Sequence, residues 1–423
     1  MSISKKLAFC TLFVGFLVVI PTSFASADNG RYFVHSTKNF VKSILPVRHV
    51  FSNGFTADLS DFQVRLVKLM GLQIEPVTVY QILNTSNIST DIKTVSPTPV
   101  PPVLGPAENS KVTLTPSPES NLKSSRPAPT DQVPWGIQAI YNDSNIASIS
   151  GGFGVKVAVL DTGADVGHPD LKNRITRCED FTNFKYPVQD KKCDDNNGHG
   201  THIAGIIAAD GGTDGAGIYG VAPEAKLMIY KVCGDGGTCY ADDIAAAIKL
   251  AADQGANVIN MGFGGDDDSS IIDGAVNYAV SKNVLIIAAA GNDGPDNDGL
   301  DYPAALSSVV AVGALDESLS VVDWSSRGKN DSTASTSIDP NDLEFVAPGA
   351  DIESTANDGS YITLSGTSMA SAFVSGLAAK FWQANNKNPA NATREFLHSI
   401  AIDILPPGQD EMSGFGLPRV PIK

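Results

Sequence analysis

The chain has 423 residues, 42% of them hydrophobic, enough for one large globular core with appended segments. Its 46 Asp and Glu against 30 Lys and Arg leave a formal charge of −16. That balance argues against nucleic acid and anionic membrane as partners and says nothing about fold.

Residues 1–27 carry Lys5-Lys6, an apolar run over 7–20, Pro21 and the small-residue sequence Ala25-Ser26-Ala27. This is the layout of a secretory signal peptide. The run is too short to span a bilayer, so we expect a secreted, extracellular protein with no membrane attachment after processing. Cys10 falls inside the signal, leaving Cys178, Cys193, Cys233 and Cys239. An even count in an exported chain implies two disulfides; three connectivities exist, and pairing of neighbours is the simplest.

Residues 28–83 read as a small α+β unit, with a strand over 31–34, an amphipathic helix over 59–70 and β-branched strands over 74–82. Residues 84–131 are rich in Pro, Ser and Thr without apolar periodicity, an extended linker. Such exposed chain is easily cut. From residue 132 to the C-terminal region short apolar runs alternate with helical stretches. The runs lie at 156–160, 227–232, 258–261, 284–290 and 309–314, and the helical stretches at 200–209, 241–254 and 271–282. In the second of these, Ile244, Ala247, Ile248 and Ala251 form one apolar face. The alternation predicts an α/β domain over 132–423, a parallel sheet flanked by helices on both faces. Functional groups in such folds gather at the carboxyl ends of the strands. Residues 330–340 are a polar insertion to which we assign no role.

Three segments carry chemistry. Leu364-Ser365-Gly366-Thr367-Ser368 is a glycine-hinged turn entering an apolar helix, which puts Ser368 where free backbone N–H groups and the positive dipole end converge. The same turn also reads as an ordinary cap. Val159-Leu160-Asp161-Thr162-Gly163 sets a carboxylate at the end of an apolar strand, and Gly198-His199-Gly200-Thr201-His202 sets histidines at a helix start. The two histidines are three apart with no glutamate between them, unlike the helical zinc-protease signature. A serine hydroxyl needs a base and waiting donors to act as a nucleophile, and Asp161, His199 and Ser368 together supply the ingredients of a serine hydrolase.

With these segments, Ala290-Gly291-Asn292-Asp293-Gly294, Gly220-Val221-Ala222-Pro223 and Val346-Ala347-Pro348-Gly349, the chain from about residue 133 onward resembles the subtilisin-like serine proteases, in the family's order Asp, His, Ser. The resemblance implies a subtilisin-like α/β fold and a serine endopeptidase acting on protein or peptide substrates. His199 would take the proton of Ser368, Asp161 would orient His199, and Asn292 would donate to the oxyanion. His202 and His168 would be structural. Two edge segments, Gly236-Gly237-Thr238 and Gly262-Phe263-Gly264, would bind substrate as an added strand. The unit at 28–83 would be a propeptide, chaperone and inhibitor of its own catalytic domain, in a self-processing zymogen cut between residues 83 and 131. A structural calcium ion would be held by Asp170, Asp131, Asp214, Ala216 and Ile218. No organic cofactor is implied, and a monomer is expected. Asp301, before Tyr302-Pro303, would fall at the floor of the primary specificity pocket and favour Lys or Arg before the cleaved bond. A catalytically silent binding protein on the same scaffold and an esterase are the competing readings. Where the family commonly has Pro-His after Ser371, this chain has Ala372-Phe373, and Gly262 stands where many relatives carry serine.

Overall fold

The computed structural model describes residues 30–84, 127–146, 148–183, 186–296, 299–330, 338–405 and 408–421. The signal peptide, most of the linker and residues 331–337 of the polar insertion lie outside the described residues.

The N-terminal unit contains β1 (Gly30–Val34), α1 (Asn39–Ile44), β2 (Val47–Val50), β3 (Phe55–Leu59), α2 (Asp61–Leu69) and β4 (Ile74–Pro76). Its strands form an antiparallel sheet in the order β2-β3-β1-β4. The helix expected over 59–70 starts two residues later because Leu59 completes β3 and Ser60 caps α2 in a reciprocal box with Gln63, an arrangement that satisfies two otherwise orphaned backbone donors. Val34, Val41, Phe55, Leu59 and Val67 form a small core of their own. The run over 74–82 divides. Pro76, which has no N–H to offer a further partner, ends β4, and β5 (Val79–Ile82) leaves the unit for another sheet.

After α3 (Trp135–Tyr141) the chain enters the large domain. Here β6 (Lys156–Asp161), β7 (Ile175–Asp180) and β8 (Gln189–Asp190) precede α4 (His199–Ala208), β9 (Lys226–Lys231), β10 (Thr238–Tyr240) and α5 (Ala241–Asp253). They are followed by β11 (Val258–Met261), β12 (Phe263–Gly264), α6 (Ser270–Ser281), β13 (Leu285–Ala289) and β14 (Val310–Leu315). The last part holds β15 (Phe345–Pro348), β16 (Ile352–Thr355), β17 (Tyr361–Leu364), α7 (Thr367–Lys380) and α8 (Pro389–Ser399).

Among the described residues, eight strands make the central sheet, β15-β14-β13-β11-β6-β9-β7-β8, parallel except for the edge pair β7 and β8. The inner strands read as continuous apolar runs because both faces are covered by helices, α4 packed with α7 and α5 packed with α6. The predicted face of α5 is buried as expected, and so, unlike ordinary helix-start acids, are Asp242 and Asp243 in its first turn. The N-terminal unit covers them. Arg31 Nη1 lies 3.1 Å from Asp242 and 2.7 Å from Asp243, Arg48 Nη2 3.1 Å from Asp243, and the Thr56 hydroxyl donates to Asp242 at 2.7 Å. His49 Nε2 completes the contact, 2.8 Å from Asp243.

Candidate active site

β6 delivers Asp161 at its carboxyl end, and α4 begins at His199. His199 Nδ1 and Asp161 Oδ1 are 2.8 Å apart with both side chains fully buried. Asp161 Oδ1 also accepts from the Thr162 N–H at 2.7 Å, which fixes the carboxylate plane. A residue that sequence reasoning passed over locks these two elements together. The buried Asp195 accepts from the N–H groups of Gly198 at 2.8 Å and Thr201 at 2.9 Å, and from the hydroxyls of Thr162 at 2.9 Å and Thr201 at 2.6 Å. Burial pushes its carboxyl up, but the bonds from Thr201, Gly198 and Thr162 outweigh it and hold the group below the usual carboxylate range. The signal in the sequence was an acid three residues before a glycine-led helix, a place where carboxylates find free N–H groups.

Ser368 sits in the first turn of α7, fully buried. Beside it, Asn292 Oδ1 accepts from the Thr367 N–H at 3.0 Å and the Thr367 hydroxyl at 2.9 Å. With its oxygen so engaged, the Asn292 amide nitrogen is buried without a partner, as is His199 Nε2. Asp161, His199 and Ser368 converge on one point. A Cβ added to Gly262 would stand 3.0 Å from Asp161 Oδ2, 3.1 Å from His199 Cε1 and 3.4 Å from Ser368 Cβ.

The two edge segments flank a cleft, and the cleft is filled by the chain itself. Strand β5 lies antiparallel between β10 and β12, with Ile82 N–H donating to Gly237 O at 3.0 Å and Leu83 N–H to Gly262 O at 3.2 Å. Tyr80 is buried beside Phe263, their rings 6.4 Å apart. Leu83 O then stands 2.6 Å from Ser368 Oγ. The Ser368 hydroxyl faces this carbonyl and Gly262 O at 2.8 Å rather than His199, because the Leu83 carbonyl occupies the space in front of it. Gly366 makes room: a Cβ there would stand 2.2 Å from Leu83 O. Past this carbonyl a groove lined by Asn84, Asn197, His199, Asn357 and Leu364 continues the cleft. The Cys233–Cys239 disulfide closes the β10 wall at its base, and Cys178 pairs with Cys193, the neighbour pairing.

Asp301 is 3% exposed. A Cβ on Gly264 would meet Asp301 Cβ at 2.6 Å and Leu83 Cδ1 at 2.9 Å, so the Leu83 side chain and Asp301 both lie against Gly264. Burial, then Asp293 and Asp266, push the Asp301 carboxyl up to about 8.

The expected calcium ligands assemble only in part. Asp170 Oδ2 accepts from the Ile218 N–H at 3.0 Å and the Tyr361 hydroxyl at 2.8 Å, so it meets the 210–218 loop through an N–H rather than through the Ile218 carbonyl, which accepts from Gly211. Asp214 Oδ1 accepts from Ala216 N–H at 3.2 Å, and Asp131 Oδ1 from Val133 N–H at 2.9 Å. Gln132 ties the Asp131 segment to the loop by donating to Gly215 O at 2.6 Å. His202 and His168 each face backbone carbonyls, Ile352 O at 2.9 Å and Ser360 O at 3.1 Å. Burial, chiefly, lowers His202 to about 3, which keeps it neutral.

Fold and cleft together define a subtilisin-type protease, and residues 152–416 match the Subtilase family model. The chain belongs to that family and is a serine-type endopeptidase that acts on protein substrates. It is 48% identical over 310 residues to a subtilisin of Bacillus sp. (strain TA39), covering 69% of this chain and 73% of that protein. It is 40% identical over 253 residues to the major intracellular serine protease of Bacillus subtilis (strain 168), covering 59% and 75%. Among solved structures it is similar to sphericase, with TM-score 0.67 and 46% identity over 69% of this chain and all of that one. The S41 psychrophilic protease gives TM-score 0.66 and 47% identity over 70% of this chain and all of that one.

Proposed function

We propose that the chain is a secreted zymogen whose large domain cuts the Leu83–Asn84 bond and then hydrolyses peptide bonds of other proteins. The observation that carries this reading is the Leu83 carbonyl set against Ser368 by a strand bonded to both walls of the cleft. Ser368 Oγ attacks that carbonyl carbon while His199 Nε2 takes its proton. Asp161 holds the Nδ1 proton and stabilises the cation without being protonated itself. The Asn292 amide and the Ser368 N–H, at the positive end of α7, receive the oxyanion. His199 returns the proton to the Asn84 nitrogen as the bond breaks, and water then hydrolyses the acyl-enzyme along the same route.

Residues 30–83 act as propeptide and stay bound after cleavage, held by β5 and by the contacts on Asp242 and Asp243. An esterase or a silent binder would not be expected to seat its own peptide carbonyl this way. The test is mass spectrometry of secreted material. Wild type should yield a new N-terminus at Asn84 and a Ser368→Ala chain should not; trimming of the Ser368→Ala chain at that bond would sink the reading. Covalent labelling of Ser368 by a fluorophosphonate separates the enzyme from a silent binder.

Asp301 gives the specificity. A carboxylate at the floor of a nearly dry pocket is best balanced by an entering Lys or Arg, and Leu83 against the same Gly264 indicates that an aliphatic side chain is also admitted. A structural calcium ion near Asp170 and the 210–218 loop is supported by the buried Asp170 carboxylate that faces that loop. If it stabilises the domain, a chelator lowers the melting temperature; an unchanged melting temperature would remove the proposal.

A further inference from the structure

Lys231 closes β9 and takes no part in the proton and bond steps of the reaction. Its side chain is 8% exposed, and it pairs with Asp161 in the parallel register of β6 and β9. Lys231 Nζ donates to Thr162 O at 2.7 Å and to Asp235 Oδ1 at 2.8 Å. Thr162 is the residue whose N–H orients the Asp161 carboxylate, and its hydroxyl accepts from the Gly200 N–H at 2.9 Å. Its carbonyl is the handle by which Lys231 holds the segment that carries Asp161. At the other end of the ion pair, Asp235 lies in the 233–239 loop that the Cys233–Cys239 disulfide closes. The Val232 and Cys233 N–H groups donate to Asp161 O at 2.9 and 3.1 Å. Asp235 Oδ2 accepts from Asn196 Nδ2 at 3.1 Å and Asp235 O from Asn197 Nδ2 at 2.9 Å. Asn197 Oδ1 in turn accepts from the His199 N–H at 3.2 Å. Further along the same loop, Gly237 O takes the Ile82 N–H of the strand in the cleft. The bond from Lys231, foremost, holds the Asp235 carboxyl below the usual carboxylate range, which keeps it the charged partner of the ammonium.

We propose that Lys231 is a positioning residue for peptide-bond hydrolysis: through Thr162 O and Asp235 it joins the wall that pairs with a substrate strand to the segment that holds Asp161. A strand bonded to Gly237 steadies the 233–239 loop, and the loop passes that constraint to Asp161 and to the start of α4. A lysine suits the task because its ammonium carries three donors on one atom, so the carbonyl and the carboxylate are held from a single point. A misplacement of about 1 Å at a reacting group can cost on the order of 10²-fold in rate. A clamp beneath Asp161 therefore acts on kcat more than on affinity. Contacts far from the cleaved bond then contribute in the transition state, and a truncated substrate forfeits rate as well as binding. Resting on the reading of Asp161, His199 and Ser368 as the machinery, the clamp adds the physical connection between strand binding and that machinery.

The test compares the secreted, processed wild type with Lys231→Met, Asp235→Ala and Asp235→Asn on two leucyl anilides, a tetrapeptide that reaches the β10 wall and a single acylated residue that does not. Wild type is expected to turn over the longer substrate with the higher kcat. Lys231→Met keeps the side-chain length and removes the donors, and Asp235→Ala acts at an exposed position. Each should cut that kcat advantage about tenfold while KM for the longer substrate changes much less. Asp235→Asn retains an oxygen for Lys231 and should recover most of the loss. Lys231→Met and Asp235→Ala alter the local charge in opposite directions, so a field acting on His199 would shift the pH profile and the rate oppositely in the two; lost positioning lowers kcat in both. Opposite rate changes would overturn the proposal, as would a wild type whose kcat ignores substrate length. Variants that melt earlier yet keep the wild-type length ratio would reduce Lys231 to a structural residue and overturn it too. Should Lys231→Met not fold, Asp235→Ala and its Asn counterpart decide. Fluorophosphonate labelling of Ser368 in wild type tests the catalytic reading separately, so the two failures are told apart.

Discussion

Leu83 O and Ser368 Oγ lie 2.6 Å apart although 285 residues separate them in the chain. Two antiparallel pairings, β5 with β10 and β5 with β12, create that contact, and the chain thereby presents one of its own peptide bonds to the cleft. Replacing Asn292 by Ala should therefore slow self-cleavage at Leu83–Asn84 by about 10²–10³-fold, the usual loss for one oxyanion donor. The measurement is the rate at which the Asn84 N-terminus appears during refolding. A rate equal to wild type would mean that the Asn292 amide does not meet the oxyanion.

The N-terminal unit is held at a second place, the first turn of α5 that follows the β10 wall. Arg48 and Asp243 are each 1% exposed and 3.1 Å apart, and removing one partner of such a buried pair costs about 3–5 kcal/mol. Arg48→Ala should leave cleavage at Leu83 possible but release the cut fragment early. Size-exclusion chromatography of the processed wild type should show the fragment travelling with the large domain, and the variant should show it separated. Equal retention in both would mean that β5 alone holds the fragment.

Asp195 predicts a pH dependence. Its carboxyl is held below the ordinary value of 3.8 in the folded protein, so the unfolded chain binds the proton more readily. The stability it contributes is fully present above that ordinary value and is lost as pH falls through the lower folded one. Asp195→Asn should therefore be less stable than wild type at neutral pH and lose less of its stability on acidification, as thermal melts across pH would record. The change also loosens the start of α4, so kcat should fall at neutral pH. Parallel melting curves for the two proteins would refute this role.

Specificity is measurable at one residue. Losing one partner of a buried charge pair costs about 2–5 kcal/mol, so Asp301→Gly should lower kcat/KM for an arginyl substrate by roughly thirtyfold or more while sparing a leucyl one. Peptide libraries cleaved by processed enzyme, read by mass spectrometry, give both values. A wild type that rejects Arg in favour of Phe or Leu, or a variant with an unchanged ratio, would show that Asp301 does not read the substrate.

The sequence by itself determined the parallel sheet, because runs such as 157–160 and 258–261 are apolar at every step and must be covered on both faces. It also marked Asp161, His199, Asn292 and Ser368, whose local segments are short and chemically distinctive. Tertiary structure alone decided that Leu83, rather than another residue between 83 and 131, meets Ser368, since strand addition depends on the register of β5 against two walls distant in sequence. The burial of Asp242 and Asp243 was likewise hidden: acids in a first helical turn usually face water, and only the docking of Arg31, Arg48 and His49 from the N-terminal unit covers them. The gathering of Asp266, Asp293 and Asp301 followed the same rule. Local pattern writes the elements, while charges brought together from separate loops are arranged only when those elements pack.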